Sequence, residues 1–317
     1  MKKLLSLIAV ALLLAACNQK TYDRSTLSII TPTGAPALAF YNYSTNDNFE
    51  TNGNPATGII PQMVSGQKDV VVLPTNAGIQ AIRNKNANYQ IAATITFGNF
   101  YLVSLNNDTN DQLDADDTIL LFQKDNVPDK IFHYVYGDSL NSAIHFAGPE
   151  DTVATAAAAA NAGSFVDSVS GERLVPNYVL LAQPVLKNVL KANASKGYKV
   201  YADMQAKYKE KSNGLPLFQA SVFVKKTVER ETAKDFLESL KKDINAAIKD
   251  PSVFTKTLQS NTETNTLYGI DPAVAEAVTK DNNGMGLGFE YAKDNKEAVE
   301  NFLKLFNIEG LDEEIYF

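Results

Sequence analysis

Two short segments carry the polar groups best placed to hold a small molecule. Thr31-Pro32-Thr33-Gly34-Ala35-Pro36 and Pro74-Thr75-Asn76-Ala77 each follow an apolar run and precede a helical pattern. Threonine hydroxyls donate and accept, asparagine offers an amide, and glycine or alanine lets the backbone approach a ligand closely. The same residues would also serve simply as helix caps. Neither segment holds Lys or Arg, so an anionic group there would be met by backbone N–H groups and hydroxyls, not by a guanidinium fork. Catalytic patterns are missing from the sequence. His133 and His145 stand in no nucleophile motif, and no GxSxG occurs. Gly284-Met285-Gly286-Leu287-Gly288 is not a dinucleotide fingerprint. The acidic run from Asp108 to Asp117 lacks the glycine and the terminal glutamate of a calcium loop. No cofactor is expected, and the chain is not expected to be an enzyme.

The one cysteine has its own chemistry. Lys2 and Lys3 precede the apolar stretch Leu4–Leu14, which is too short to span a bilayer. Leu14-Ala15-Ala16-Cys17 follows and resembles a bacterial lipobox, in which cleavage precedes a cysteine whose thiol is acylated. The expectation is a signal peptide over 1–16, lipidation at Cys17, palmitate included, and a flexible tether over 17–25. The mature chain would keep 301 of 317 residues, with its formal charge moved from −7 to about −9. A lone cysteine excludes an intramolecular disulfide, and the acidic balance disfavours nucleic acid.

Elements that could position the two loops are readable. Hydrophobic residues make up 45% of the chain, enough for a large core without disulfides. Leu27–Ile30, Asp69–Leu73, Ile91–Thr96 and Tyr101–Leu105 read as strands, with helices over 35–43 and 77–83. The acidic stretch 106–117 reads as a crossing into a second αβ series. That series has strands at 119–122, 144–146, 178–182 and 198–201 and helices at 128–136, 152–162, 184–191 and 204–211. A return crossing is expected at Asn213-Gly214-Leu215-Pro216, then a strand over 218–224 and helices over 229–248, 271–279 and 292–306. Alternating strands and helices indicate an α/β fold with mostly parallel sheets. Lobe I would comprise 26–110 and 216–317, and lobe II 111–215. Two crossover segments would form a hinge beside an interlobe ligand cleft. Ligands in such sheets bind beyond the carboxyl ends of the strands.

Four stretches carry a family resemblance: Ile30–Pro36, Lys68–Gly78, Gly98–Val103 and Asn177–Leu186. Together with the lipobox they resemble the lipid-anchored substrate-binding proteins of ABC importers. The nearest branch is the type II, periplasmic-binding-protein-like fold of the aliphatic-sulfonate, nitrate and thiamine-precursor binders. The resemblance implies capture of a neutral or singly charged small molecule, of sulfonate or pyrimidine type for example, and delivery to an ABC permease. It implies a monomer, exported and held to the extracytoplasmic face of the membrane by its lipid. It places ligand contacts at Thr31, Thr33, Gly34 and Ala35, at Thr75, Asn76 and Ala77, and at Gly98 and Asn99. Asn126, Gln183, Gln219 and Ser221 complete the set. Phe97, Phe100 and Tyr268 would be walls or core. Gln123–Asp129 departs from the Gly/Ser/Thr-rich turn of the family, which leaves Asn126 as the substitute contact there. Two alternatives stand beside transport: a surface lipoprotein with an adhesive or sensory role, and a biosynthetic enzyme on the same fold.

Overall fold

The computed structural model describes residues 22–105, 112–148 and 151–317. Cys17, the signal peptide and part of the acidic run lie outside the described residues.

The first sheet runs in the order β13-β4-β12-β3-β1-β2. Its strands are β1 (Ile29–Pro32), β2 (Phe49–Asn52), β3 (Val70–Pro74), β4 (Tyr89–Thr96), β12 (Ala220–Lys225) and β13 (Leu287–Tyr291). The three around β1 are parallel, whereas β12 and β13 run antiparallel to their neighbours. The second sheet runs β11-β5-β10-β6-β7. It comprises β5 (Phe100–Ser104), β6 (Ile119–Leu121), β7 (Ile144–Phe146), β10 (Tyr178–Ala182) and β11 (Lys199–Asp203). A small hairpin pairs β8 (Phe165–Val166) with β9 (Arg173–Leu174).

Helices cover both sheets. In chain order they are α1 (Ala35–Leu38), α2 (Ile60–Val64), α3 (Thr75–Lys85), α4 (Val127–Tyr136), α5 (Val153–Ala162), α6 (Val185–Ala192) and α7 (Met204–Lys211). Then come α8 (Arg230–Lys249), α9 (Val253–Thr257), α10 (Thr262–Tyr268), α11 (Pro272–Lys280) and α12 (Lys296–Lys304). Among the described residues, no helix is long and apolar enough to cross a membrane.

The unbroken Val70–Leu73 run has a physical reason. Its side chains alternate between two cores: Val70 and Val72 join Ile29, while Val71 and Leu73 join Ile30 on the opposite face. A strand covered on both faces has no polar side to present. Each such side chain contributes about 1.5–3 kcal/mol on burial. Over one face lies α8, whose Phe236, Leu237, Leu240, Ile244 and Ala247 are essentially inaccessible. Its first turn is capped by Glu229, which accepts the Thr232 N–H at 2.6 Å. Helix α5 carries the alanine run. Thr152 caps it by accepting the Thr155 N–H at 3.2 Å, and Gly163 ends it at φ 73°.

The chain changes sheets earlier than the sequence suggests. β5 pairs with β10 and β11, so it belongs to the second sheet. The first crossing is therefore Phe97-Gly98-Asn99 rather than a point near residue 110. The chain returns to the first sheet through residues 215–219 and enters it at β12. Alternation along a strand reveals its faces, not which sheet it joins, and the partners of β5 lie more than seventy residues further on. Two edge strands, β2 and β13, are absent from the sequence reading, because Asn and Gly dilute their apolar pattern.

The expected tether also shortens. Of its residues, Tyr22–Ser25 are described, and they are fastened to the first lobe. The Arg24 guanidinium donates to both Asp243 carboxylate oxygens at 2.9 and 2.8 Å. Asn48 Nδ2 donates to the Ser25 carbonyl at 2.7 Å, and Tyr22 meets Phe236 edge-on at 6.0 Å.

Candidate functional site

Backbone pairing brings the candidate loops together. Pro74 and Thr96 both lie beside Ala220, so the ends of β3 and β4 meet the start of β12. Gln219 ties them: its N–H donates to the Thr96 carbonyl at 3.1 Å, and its carbonyl accepts the Thr75 N–H at 2.9 Å. The Thr31–Ala35 loop leaves the same end of the sheet, from β1. In the second lobe, Ala182 at the end of β10 pairs with Phe100 at the start of β5. The loops after β6 and β10 therefore lie at the end that adjoins the crossing. Asn99 and Gln183 are joined twice: Asn99 Nδ2 donates to the Gln183 carbonyl and the Gln183 N–H to the Asn99 carbonyl, both at 3.0 Å. The first turns of α1 and α3 in one lobe and of α4 and α6 in the other thus open toward the junction of the lobes.

Several candidates are already committed within the protein. The Thr75 hydroxyl donates to the Phe218 carbonyl at 2.7 Å and lies 2.7 Å from Ser221 Oγ. Ser221 Oγ lies 2.8 Å from Thr94 Oγ1. All three side chains are inaccessible, and together they fasten β3, β12 and β4. Thr31 is likewise inaccessible, its hydroxyl turned to the Pro32 carbonyl at 3.3 Å. The Gly34 N–H donates to the Tyr268 carbonyl at 2.7 Å, at φ 89° and ψ −144°, a conformation open to glycine. These groups act as scaffold in this arrangement. Tyr268 is core: its hydroxyl donates to the Phe40 carbonyl at 3.0 Å. Phe100 packs against Phe122 inside the protein, whereas Phe97, half-buried at the crossing, meets Phe218 edge-on at 5.3 Å.

Asn76 differs. It is 7% exposed at the start of α3, and its Oδ1 is buried without a hydrogen-bond partner. A buried acceptor left unmade costs about 1–3 kcal/mol unless something supplies a donor. Thr96 Oγ1 is in the same condition at the end of β4. Thr33, Ala77 and Gln219 are half-buried at this end of the first lobe. Across from them, Gln183 is half-buried and accepts the Lys187 N–H at 3.3 Å. Asn126 is exposed and caps α4 by accepting the Val127 N–H at 3.0 Å. Gly98 is buried at φ 91°, and a Cβ there would lie 2.7 Å from Gln205 and Leu217.

Four residues escaped the sequence reading. Thr94 and Thr96 recur at a spacing of two in an otherwise apolar strand, a signal that was present. Gln205 accepts the Phe100 N–H at 2.7 Å and braces the crossing from α7. Lys187 reaches from the second lobe to the first. No local pattern marks either of these.

Both histidines line a separate cavity of about 580 Å³ on the second lobe. His133 Nε2 lies 3.2 Å from Asp129, and His145 Nδ1 lies 3.2 Å from Asp167. Burial would raise the Asp167 pKa. The Ser170 N–H and hydroxyl, the Val169 N–H and His145 outweigh it and hold the carboxyl near about 2. Ser170 donates to Asp167 at 3.0 Å, so the carboxylate stands between hydroxyl and imidazole. In this order the imidazole does not touch the hydroxyl it would need to activate.

No family model matches the chain, and no curated protein matches it. Solved structures do. An ABC transporter structure from Parabacteroides distasonis superposes with a TM-score of 0.67 at 20% identity, covering 89% of this chain and 92% of that one. The periplasmic aliphatic sulphonate binding protein of Escherichia coli gives 0.59 at 12% identity, covering 90% and 87%. The zinc-bound ligand-binding component of an ABC-type import system from Staphylococcus aureus gives 0.58 at 10%, covering 91% and 94%. The fold is the two-lobed, type II fold of ABC-transporter substrate-binding proteins.

Proposed function

We propose that the protein is an extracytoplasmic solute-binding lipoprotein. It captures a small molecule between its lobes and delivers it to an ABC permease. The observation that carries this reading is that the strands leading into four helices, two in each lobe, end on the side of each sheet that adjoins the crossing at Phe97–Asn99. A ligand seated there touches both lobes, binds the closed form better, and shifts the equilibrium toward it. The unpartnered Oδ1 of Asn76 supports the site, because a ligand N–H or O–H would satisfy it. Thr33, Ala77, Gln219, Asn126 and Gln183 are the contacts we assign beside it. Thr31, Gly34, Ala35, Thr75, Ser221, Gly98 and Asn99 shape the walls through their backbone and packing. Acylation at Cys17 would hold the protein at the membrane, where its permease lies.

A thermal-shift screen with sulfonates, nitrate, pyrimidines and aromatic acids tests the reading. A ligand at a hundredfold excess over its Kd should stabilise the protein by about 2.7 kcal/mol. Absence of any shift, combined with tight binding to a protein partner, would overturn the transport role.

A further inference from the structure

Lys187 lies in the first turn of α6, just beyond the end of β10. Its Nζ donates to the carbonyl oxygen of Ala277 at 3.1 Å. That carbonyl belongs to the last turns of α11, in the other lobe. Helix α11 packs on α9 and leads through Asn282–Gly286 into β13. The first residue of β13, Leu287, pairs with Thr96 at the end of β4. Both partners therefore sit at the sheet ends that face each other across the junction. A movement that carries α6 away from α11 would break the contact. The pairing is chemically apt, because carbonyls at a helix C-terminus carry partial negative charge and favour an ammonium.

A second observation comes from the same helix end. Tyr101, on β5 of the second lobe, is pushed up to about 12 by burial first, then by the carboxylates of Asp203 and Asp281. Asp281 directly follows α11. The carboxylate at the end of α11 thus lies within electrostatic reach of β5 in the second lobe.

We propose that Lys187 is a latch that holds the lobes together with nothing in the cleft. Part of the free energy of closure then comes from the protein itself. The ligand-free chain populates the closed form, and a ligand has less of the equilibrium left to shift.

Small-angle X-ray scattering of the ligand-free protein, freed of carried-over solute by unfolding and refolding, tests this. Wild type, Lys187→Met, Lys187→Arg and Lys191→Met are compared, with near-UV circular dichroism confirming that each is folded. Lys187→Met should have a larger radius of gyration, its closed population lower by about fivefold. Lys187→Arg should keep the compact form, and Lys191→Met, an exposed change on the same helix, should match wild type. Identical scattering from wild type and Lys187→Met overturns the latch. So does equal expansion of Lys191→Met, which would assign the effect to charge alone. Since no ligand is used, the latch can fail while the transport role stands, and the reverse.

Discussion

The turns after β3 and after β6 do the same job by opposite means. Each carries the chain from a strand into a helix that opens toward the lobe junction. The β3 turn is fixed by uncharged hydroxyls sealed from water: Thr75 bonds Phe218 and Ser221, and Ser221 contacts Thr94. The β6 turn is exposed over residues 123–126 and is fixed by carboxylates, the half-buried Asp151 and the buried Asp129. Asp151 accepts the Gln123 and Lys124 N–H groups at 2.6 and 2.5 Å, and Asp129 accepts the Asp125 N–H at 2.7 Å. Gln123 and Asp125 both adopt positive φ. Hydrogen bonds in a low-dielectric interior are strong and indifferent to salt, whereas exposed carboxylate bonds weaken with screening and protonation. The β3 turn therefore rests wholly on buried bonds, and the β6 turn rests in part on a carboxylate that water reaches.

Substitutions can break or sharpen that contrast. The largest effect should come from Thr75→Val. It leaves the Phe218 carbonyl and the Ser221 hydroxyl short of a partner in a buried place, a loss of about 2 kcal/mol measurable by urea unfolding. A loss below about 0.5 kcal/mol would mean that the hydroxyl chain does not stiffen the first lobe. Acid should act next, and on the second lobe. The Asp167 carboxyl is held near about 2, below its ordinary value near 4, so its contribution is complete above pH 4 and lost as pH falls toward 2. Hydrogen exchange at pH 7 and 2.5 should show residues 167–172 losing protection before β3 and β12 do. Equal loss in both lobes would erase the distinction.

Asn126→Ala removes an exposed N-cap and should cost about 1 kcal/mol, half the effect of Thr75→Val, with lower protection confined to α4. The smallest loss of stability belongs to Asn76→Ala, which should leave the protein as stable or make it more so, because it removes a buried acceptor that has no partner. The same variant should bind any solute found by thermal shift at least tenfold more weakly. Unchanged affinity, read by calorimetry, would remove Asn76 from the site.

How far the sequence reaches depends on distance along the chain. The β3 run and the turn that ends it were legible, because a strand buried on both faces must be apolar and a strand-to-helix turn needs small, polar residues. The alanine-rich helix over 152–162 is legible for the same local reasons, although Thr152 stands outside it as the cap. What Thr75 does with its hydroxyl was not, since its partners are 143 and 146 residues away. The early crossing at Phe97–Asn99 was hidden likewise, because β5 is assigned by strands that come much later. Residue type, the strand-to-helix turn and the family resemblance point to Asn76 and Thr75 alike. Only geometry separates the two.

The ion pair of Arg24 with Asp243 sets a length. With the proposed acyl anchor at Cys17, the four residues Asn18–Thr21 remain before the chain is fastened at Tyr22. At about 3.5 Å per residue, that span reaches no more than about 17 Å. Such a protein does not roam the space outside the membrane. On the proposed reading it would patrol a thin layer within reach of a permease beside it, at a local concentration that short tethers raise to the millimolar range. Handover would then be a matter of turning to face a neighbour, and the proposed delivery would scale with how crowded the membrane is, not with how much protein the cell exports.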